Sequence, residues 1–259
     1  MSVRAYRSMF TSVVVLAAAL AVAGCKTTGE HTGSIGRTAL ATAEPSPELK
    51  RAAELQKRYE RNPKDPEAAL AFSDSLKALG RDADALAVLK SAADANPSNA
   101  KVLAAYGRTS LKLGNAGEAN VVLQKAQAAG AQDAKVLSAQ GAALDQLGKN
   151  EEARQLYARA LALAPDDPAI LSNLGLSYAL SNRIGDAEAT LRRAAAAPGA
   201  DARVRQNLAL VLGLQGKFEE AERIARQDLP PEDVQANMAY LRSMMSSPAR
   251  WQKIKAMNG

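Results

Sequence analysis

Histidine and cysteine are nearly missing from this chain of 259 residues, which holds one of each, His31 and Cys25. A single Cys excludes an intramolecular disulfide, and one imidazole with one thiol excludes a His/Cys cluster for zinc, iron or copper. A Ser-His-Asp or Cys-His apparatus would have to recruit His31, which lies in a stretch without apolar periodicity. Aromatic residues are scarce at 4% although 47% of the chain is hydrophobic, so the apolar surplus is Ala, Leu and Val. That is the composition of closely packed helices. Charge of one sign is also in short supply. The formal excess is +6, and because residues 1–24 hold Arg4 and Arg7 and no acid, it falls to +4 from Cys25 onward. So small and dispersed a surplus, without Lys/Arg runs interleaved with aromatics, makes no phosphate-binding face and argues against a nucleic-acid partner.

No apolar run reaches the roughly 20 residues of a membrane-spanning helix. The longest, from Met9 to Ala23, has about 15 residues and follows the basic Arg4–Arg7 segment, which is the layout of an export signal. Val22-Ala23-Gly24-Cys25 closes it and resembles the lipobox of bacterial lipoproteins, in which a signal peptidase cuts before an acylated Cys. The resemblance implies a signal peptide over 1–24 and a lipid anchor on Cys25, where each buried methylene adds about 0.8 kcal/mol to membrane binding. In that family Asp after the Cys is the usual signal for inner-membrane retention. Lys26 stands there instead, which implies the outer membrane, periplasmic side. Residues 25–45 are rich in Gly, Thr and Ala and read as a tether with a reach of about 25 Å.

The remainder is periodic. Ala85, Ala119, Ala153, Ala187 and Ala221 recur at a constant step, and Gly80, Gly114, Gly148, Asn182 and Gly216 precede them at the same step. This register resembles the tetratricopeptide repeat (TPR), a unit of about 34 residues made of helix, turn and second helix. Five units follow one another without insertion, at 66–99, 100–133, 134–167, 168–201 and 202–235. The fourth runs Pro168-Ala-Ile-Leu-Ser-Asn-Leu-Gly-Leu-Ser-Tyr178, close to the family's first-helix pattern. The expected fold is an all-α TPR solenoid, a right-handed superhelix of helix-turn-helix repeats with capping helices at its ends. The small residues Gly107, Gly141 and Gly175 on first helices are expected to face the period Ala of second helices, with Leu79, Leu113, Leu147, Leu89, Leu123, Tyr157 and Leu191 filling the space around them. Residues 46–65 look like the second helix of a partial repeat. Residues 232–259 read as a capping helix, using Met238, Leu241 and Met245, and a tail.

Motifs for chemistry are weak. Gly148-Lys149 and Gly216-Lys217 lack the rest of a phosphate loop and fall on inter-helix turns. Glu151/Glu152 and Glu219/Glu220 open second helices, where the helix dipole favours negative charge, and Asp74 and Asp145 are the groove carboxylates that an enzyme would have to use. Neither catalysis nor a cofactor nor a metal is expected. In the TPR family the first helices line a concave face that binds peptide segments of partner proteins. The family's groove positions fall on Lys101, Arg108, Lys135, Ser138, Asn173, Arg203, Gln206 and Asn207, whose cations favour an acidic segment or a C-terminal carboxylate.

The layout of lipobox, tether, repeats and the closing segment Asn237-Met-Ala-Tyr-Leu-Arg-Ser-Met-Met-Ser-Ser-Pro-Ala-Arg-Trp251 resembles the TPR lipoproteins of the tight-adherence (Flp, type IVb) pilus system. That resemblance implies assembly or localisation of the secretin. A general envelope scaffold, serving outer-membrane protein insertion or cell-wall enzymes, is the alternative.

Overall fold

The computed structural model describes residues 46–246, so the leader, Cys25, the tether with His31 and the tail with Trp251 lie outside the described residues. Every regular element described is a helix. The chain divides into two compact units, one ending at Pro97 and one starting at Ser98.

The first unit holds α1 (Pro47–Arg61), α2 (Pro66–Ala78) and α3 (Asp82–Ala95). Proline occupies the first turn of α1 and of α2, and Ser46 and Asp65 cap them by accepting from the Leu49 and Glu67 amides at 3.3 and 3.0 Å. The α1 helix packs on α2 through Leu55 and through Tyr59, whose ring stacks on Phe72 with centroids 5.6 Å apart. Asn96, at the end of α3, donates to the Lys64 carbonyl at 3.0 Å and ties the α3 terminus back to the α1–α2 junction.

The second unit holds α4 (Ala100–Lys112), α5 (Ala116–Ala128), α6 (Ala134–Gln146), α7 (Asn150–Leu163), α8 (Pro168–Leu180), α9 (Ile184–Ala196), α10 (Ala202–Leu214), α11 (Phe218–Ala225) and α12 (Pro231–Ser246). Asn99, Asp133, Asp167 and Asp201 cap α4, α6, α8 and α10 with their side chains. Each hairpin turns on a residue with positive φ. Asn182 at +57° is the one described non-glycine in that region, and it stands where Gly148 takes +78°.

Two expectations about packing need correction. The small residue of each first helix does not face the period Ala; it faces the large residue four places further on. A Cβ on Gly107 would lie 2.5 Å from Leu123 Cγ, one on Gly141 2.7 Å from Tyr157 Cε1, and one on Gly175 2.6 Å from Leu191 Cγ. One surface is hollow where the other protrudes, so the helix axes approach closely without a void. The period residues Ala119, Ala153, Ala187 and Ala221 are fully buried beside these contacts. Leu113 and Leu147, expected inside, are 40% and 36% exposed, and Leu79 is half-buried. They are the C-caps of their helices and lie at the hairpin rim; Leu76 and Leu144, three residues earlier, take the core position.

The fifth repeat departs from the others. Its second helix, α11, stops after eight residues, and Asp228, which breaks the Ala series, accepts from Arg205 Nε at 2.7 Å and Nη2 at 2.5 Å. After Pro230-Pro231, α12 buries Val234, Met238 and Leu241; Leu241 rests on Gly213, while Met245 is half-buried near Gly216.

The glycine contacts give a direct test. Gly141→Ala forces a methyl group into Tyr157 and should destabilise the protein by about 1–3 kcal/mol in denaturant unfolding. Gly185→Ala, where a Cβ meets nothing within 4 Å, should stabilise α9 by up to about 1 kcal/mol.

Candidate functional site

In the second unit the first helices α4, α6, α8 and α10 lie side by side, and residues spaced three and four apart on each form one continuous face. Lys101, Arg108, Lys135 and Arg203 are exposed on this face, while Asn173 and Gln206 are half-buried. Ser138 and Asn207 are buried, at 6% and 7% exposure. Hydrogen bonds join neighbouring helices here: Asn173 Nδ2 donates to Ser138 Oγ at 3.1 Å, and Asn207 Nδ2 donates to Ser172 Oγ at 2.9 Å. The two amides are therefore part of the framework as well as of the face. Ser172 was not among the sequence candidates, although its register position, that of Ser138 one repeat on, was the available signal.

Three carboxylates form polar nodes between helices. Glu118 of α5 accepts from Tyr106 and Ser110 of α4, both at 2.7 Å. Asp145 of α6 accepts from Asn150 at 2.8 Å, Ser177 at 2.7 Å and Tyr157 at 2.9 Å. Burial pushes the Asp145 carboxyl above its ordinary range against the opposing pull of these donors and of the Arg154 charge. Burial, then the Asp145 charge, pushes the Tyr157 phenol up well beyond its usual value. Considered from sequence as a catalytic carboxylate, Asp145 thus has both oxygens occupied by neighbouring helices, and exposed Asp74 pairs with Lys77 at 2.6 Å.

Glu188 of α9 accepts from Lys217 at 2.6 Å, from Gln215 at 2.7 Å and from Arg192 at 2.7 Å, and Arg192 also meets Glu220 of α11 at 2.8 Å. The Lys217 hydrogen bond, ahead of those from Arg192 and Gln215, holds the Glu188 carboxyl down at about 2.

A recess on the second-helix side is lined with carboxamides. Gln127 donates to Gln140, and Gln140 donates to Asn120 at 3.1 Å. Gln140 is buried where the other repeats place Phe72, Tyr106, Leu174 and Leu208, and that interruption of an apolar series was its sequence signal. Among the described residues no group of three or more His, Cys, Asp or Glu is placed to hold a metal, and no helix is long and apolar enough to cross a membrane.

Helical hairpins that follow one another at a constant step and stack first helix on first helix define a helical-repeat protein. Residues 76–143 of this chain match the family model described as Tetratricopeptide repeat, and residues 141–182 the one described as TPR repeat. Its all-helical fold is that of the TPR solenoids. It is similar to TTC0263, a thermophilic TPR protein of Thermus thermophilus, at 25% identity and a TM-score of 0.60, over 68% of this chain and 98% of that one. PilW, a type IV pilus biogenesis factor, aligns at 18% identity and a TM-score of 0.65, over 74% of this chain and 90% of its own. YrrB, a TPR protein with an unusual peptide-binding site, aligns at 19% and 0.51, over 75% and 99%. No curated protein matches the sequence. TPR domains are in general non-catalytic platforms for protein–protein interaction, and this chain has that architecture.

The Glu188 node predicts a pH signature. A carboxyl whose folded pKa is about 2, against an ordinary 4.5, contributes stability that is complete above about pH 4.5 and lost as pH falls towards 2. Glu188→Gln should therefore cost about 1 kcal/mol at pH 7, in this half-solvated network. The gap to the parent should close near pH 2 and narrow in high salt, as read by unfolding curves across pH.

Proposed function

We propose that the protein is a non-catalytic scaffold, held by lipid on Cys25 at the periplasmic face of the outer membrane, that assists assembly or localisation of the secretin and pilus machinery of a tight-adherence (Flp) pilus. The observation that carries this reading is the first-helix face of α4, α6, α8 and α10, continuous over four repeats. The lipobox-like Val22-Ala23-Gly24-Cys25 supplies the anchor and Lys26 the destination. PilW is by its name a type IV pilus biogenesis factor; its likeness is one of fold, and it supports the reading only in that this architecture serves pilus biogenesis elsewhere.

Deleting the gene should abolish surface pili and lower the yield of secretin multimers. Normal piliation would overturn the pilus role, and capture of outer-membrane insertion or cell-wall components from crosslinked envelopes would favour a general scaffold. Cys25→Ser should move the protein from the membrane fraction to the soluble periplasm. Continued membrane fractionation would count against lipidation.

A further inference from the structure

Charge is distributed unevenly between the two kinds of helix in the second unit. The second helices α5, α7, α9 and α11 mix acids and bases. The first helices α4, α6, α8 and α10 hold six cations and one acid, Asp145, whose oxygens are already taken by Asn150, Ser177 and Tyr157. Arg205 is neutralised by Asp228, whereas no ion pair holds Arg108 or Lys135 among the described residues, and both are exposed.

Helix stability does not explain where these cations stand. Lys101, Lys135 and Arg203 occupy the first turn of their helices, the end where the macrodipole favours acids; the acids there are the N-caps Asp133 and Asp201, the second 3.8 Å from Arg203, and the first turns themselves contain none. The second helices obey the rule, with Glu118, Glu151, Asp186 and Glu219 in their first turns. The exception is thus confined to the helices that build the candidate face.

The face also changes along its length. At one register position it carries Arg108 on α4, Ala142 on α6, Leu176 on α8 and Leu210 on α10; four residues on, it carries Lys112, Gln146, Leu180 and Leu214. The α8 helix has no charged residue at all, and Leu176, Leu180 and Leu210 are each only partly buried. At these two positions one end of the face is therefore cationic and the other apolar, while Arg203 and Arg205 stand nearer the start of α10 and face Asp201 and Asp228.

We infer that the face binds a bipartite segment of a partner protein, with acidic side chains seated over α4 and α6 and large apolar side chains over α8 and α10. This rests on the scaffold reading and adds the chemistry and the placement of the occupant. Charge complementarity supplies the first half, since cations set against the helix dipole gain from an anion. The second half follows from Leu176, Leu180 and Leu210, left partly in water, which an apolar side chain would cover.

The test uses the full chain and synthetic peptides of about twelve residues, by fluorescence anisotropy. Peptides with a Glu block and a Leu/Phe block, made in both chain directions, are compared with one of the same composition in alternating order. One block direction should bind at least tenfold more tightly than the alternating peptide. Arg108→Glu with Lys135→Glu should weaken it at least tenfold and flatten its salt dependence. Leu176→Ala should weaken it severalfold with the salt dependence intact, and an unchanged melting curve for each variant confirms that the fold is kept. Equal binding of block and alternating peptides, or indifference to the charge reversals in a folded variant, would overturn the inference. The scaffold reading is judged separately by piliation: a strain that loses its pili on deletion, but whose protein treats the two peptides alike, keeps the scaffold and loses the bipartite groove.

Discussion

The close approach of the two helices within each hairpin is the contact on which the rest is built. Gly107 receives Leu123, Gly141 receives Tyr157 and Gly175 receives Leu191, always sixteen residues apart. With a Cβ on any of these glycines the axes would have to separate, and the fully buried Ala119, Ala153 and Ala187 would lose the dense surroundings that a single methyl group can fill. A hairpin of fixed spacing then fixes the step between successive first helices. That step places Asn173 against Ser138 and Asn207 against Ser172, each thirty-five residues apart. Interhelix hydrogen bonds of about 3 Å on the outer face thus depend on hollows in the inner one.

What was legible in the sequence follows from what a period can convey. It shows that residues share an environment, so the turn glycines and Asn182 could be read directly, because local backbone chemistry dictates them. A period does not show which two environments touch. The Gly–Leu pairing was therefore assigned to the wrong partner, and Leu113 and Leu147 were placed inside when their position at the helix C-cap puts them on the rim. The cations of the face were placed by the resemblance to the TPR family, and their side chains are exposed. The burial of Ser138 and Asn207 was not legible, because a neighbouring repeat provides it. Gln140 and Asp145 are single departures from the register, and such departures are where the non-periodic polar contacts of this stack lie.

Two carboxylates illustrate how differently the stack treats charge. Glu188 meets two cations and an amide at a half-solvated junction of α9, α10 and α11, and its proton affinity falls. Asp145 meets neutral donors deeper between α6, α7 and α8, where loss of solvation outweighs the hydrogen bonds, and its proton affinity rises. Acidification therefore weakens the first node while relieving a cost at the second. The two nodes thus differ in their response to pH although the backbone repeats.

The Asn–Ser rungs bear on how the face can recognise a peptide. A carboxamide has two N–H donors and an oxygen with two lone pairs, and in both rungs one donor is committed to a serine hydroxyl. The commitment fixes the rotamer before any partner arrives. The remaining donor and the oxygen are held in position, and little side-chain entropy is left to lose on binding. Asn207 is too deeply buried to offer much beyond its edge, whereas Asn173 is half-open and sits between the cationic helices and the apolar ones. A backbone amide crossing the face at Asn173 would meet a donor and an acceptor already oriented, just where the chemistry of the face changes from charge to hydrocarbon. In the bipartite complex inferred above, Asn173 would fix the register of the bound segment, with the charges and leucines on either side selecting its sequence.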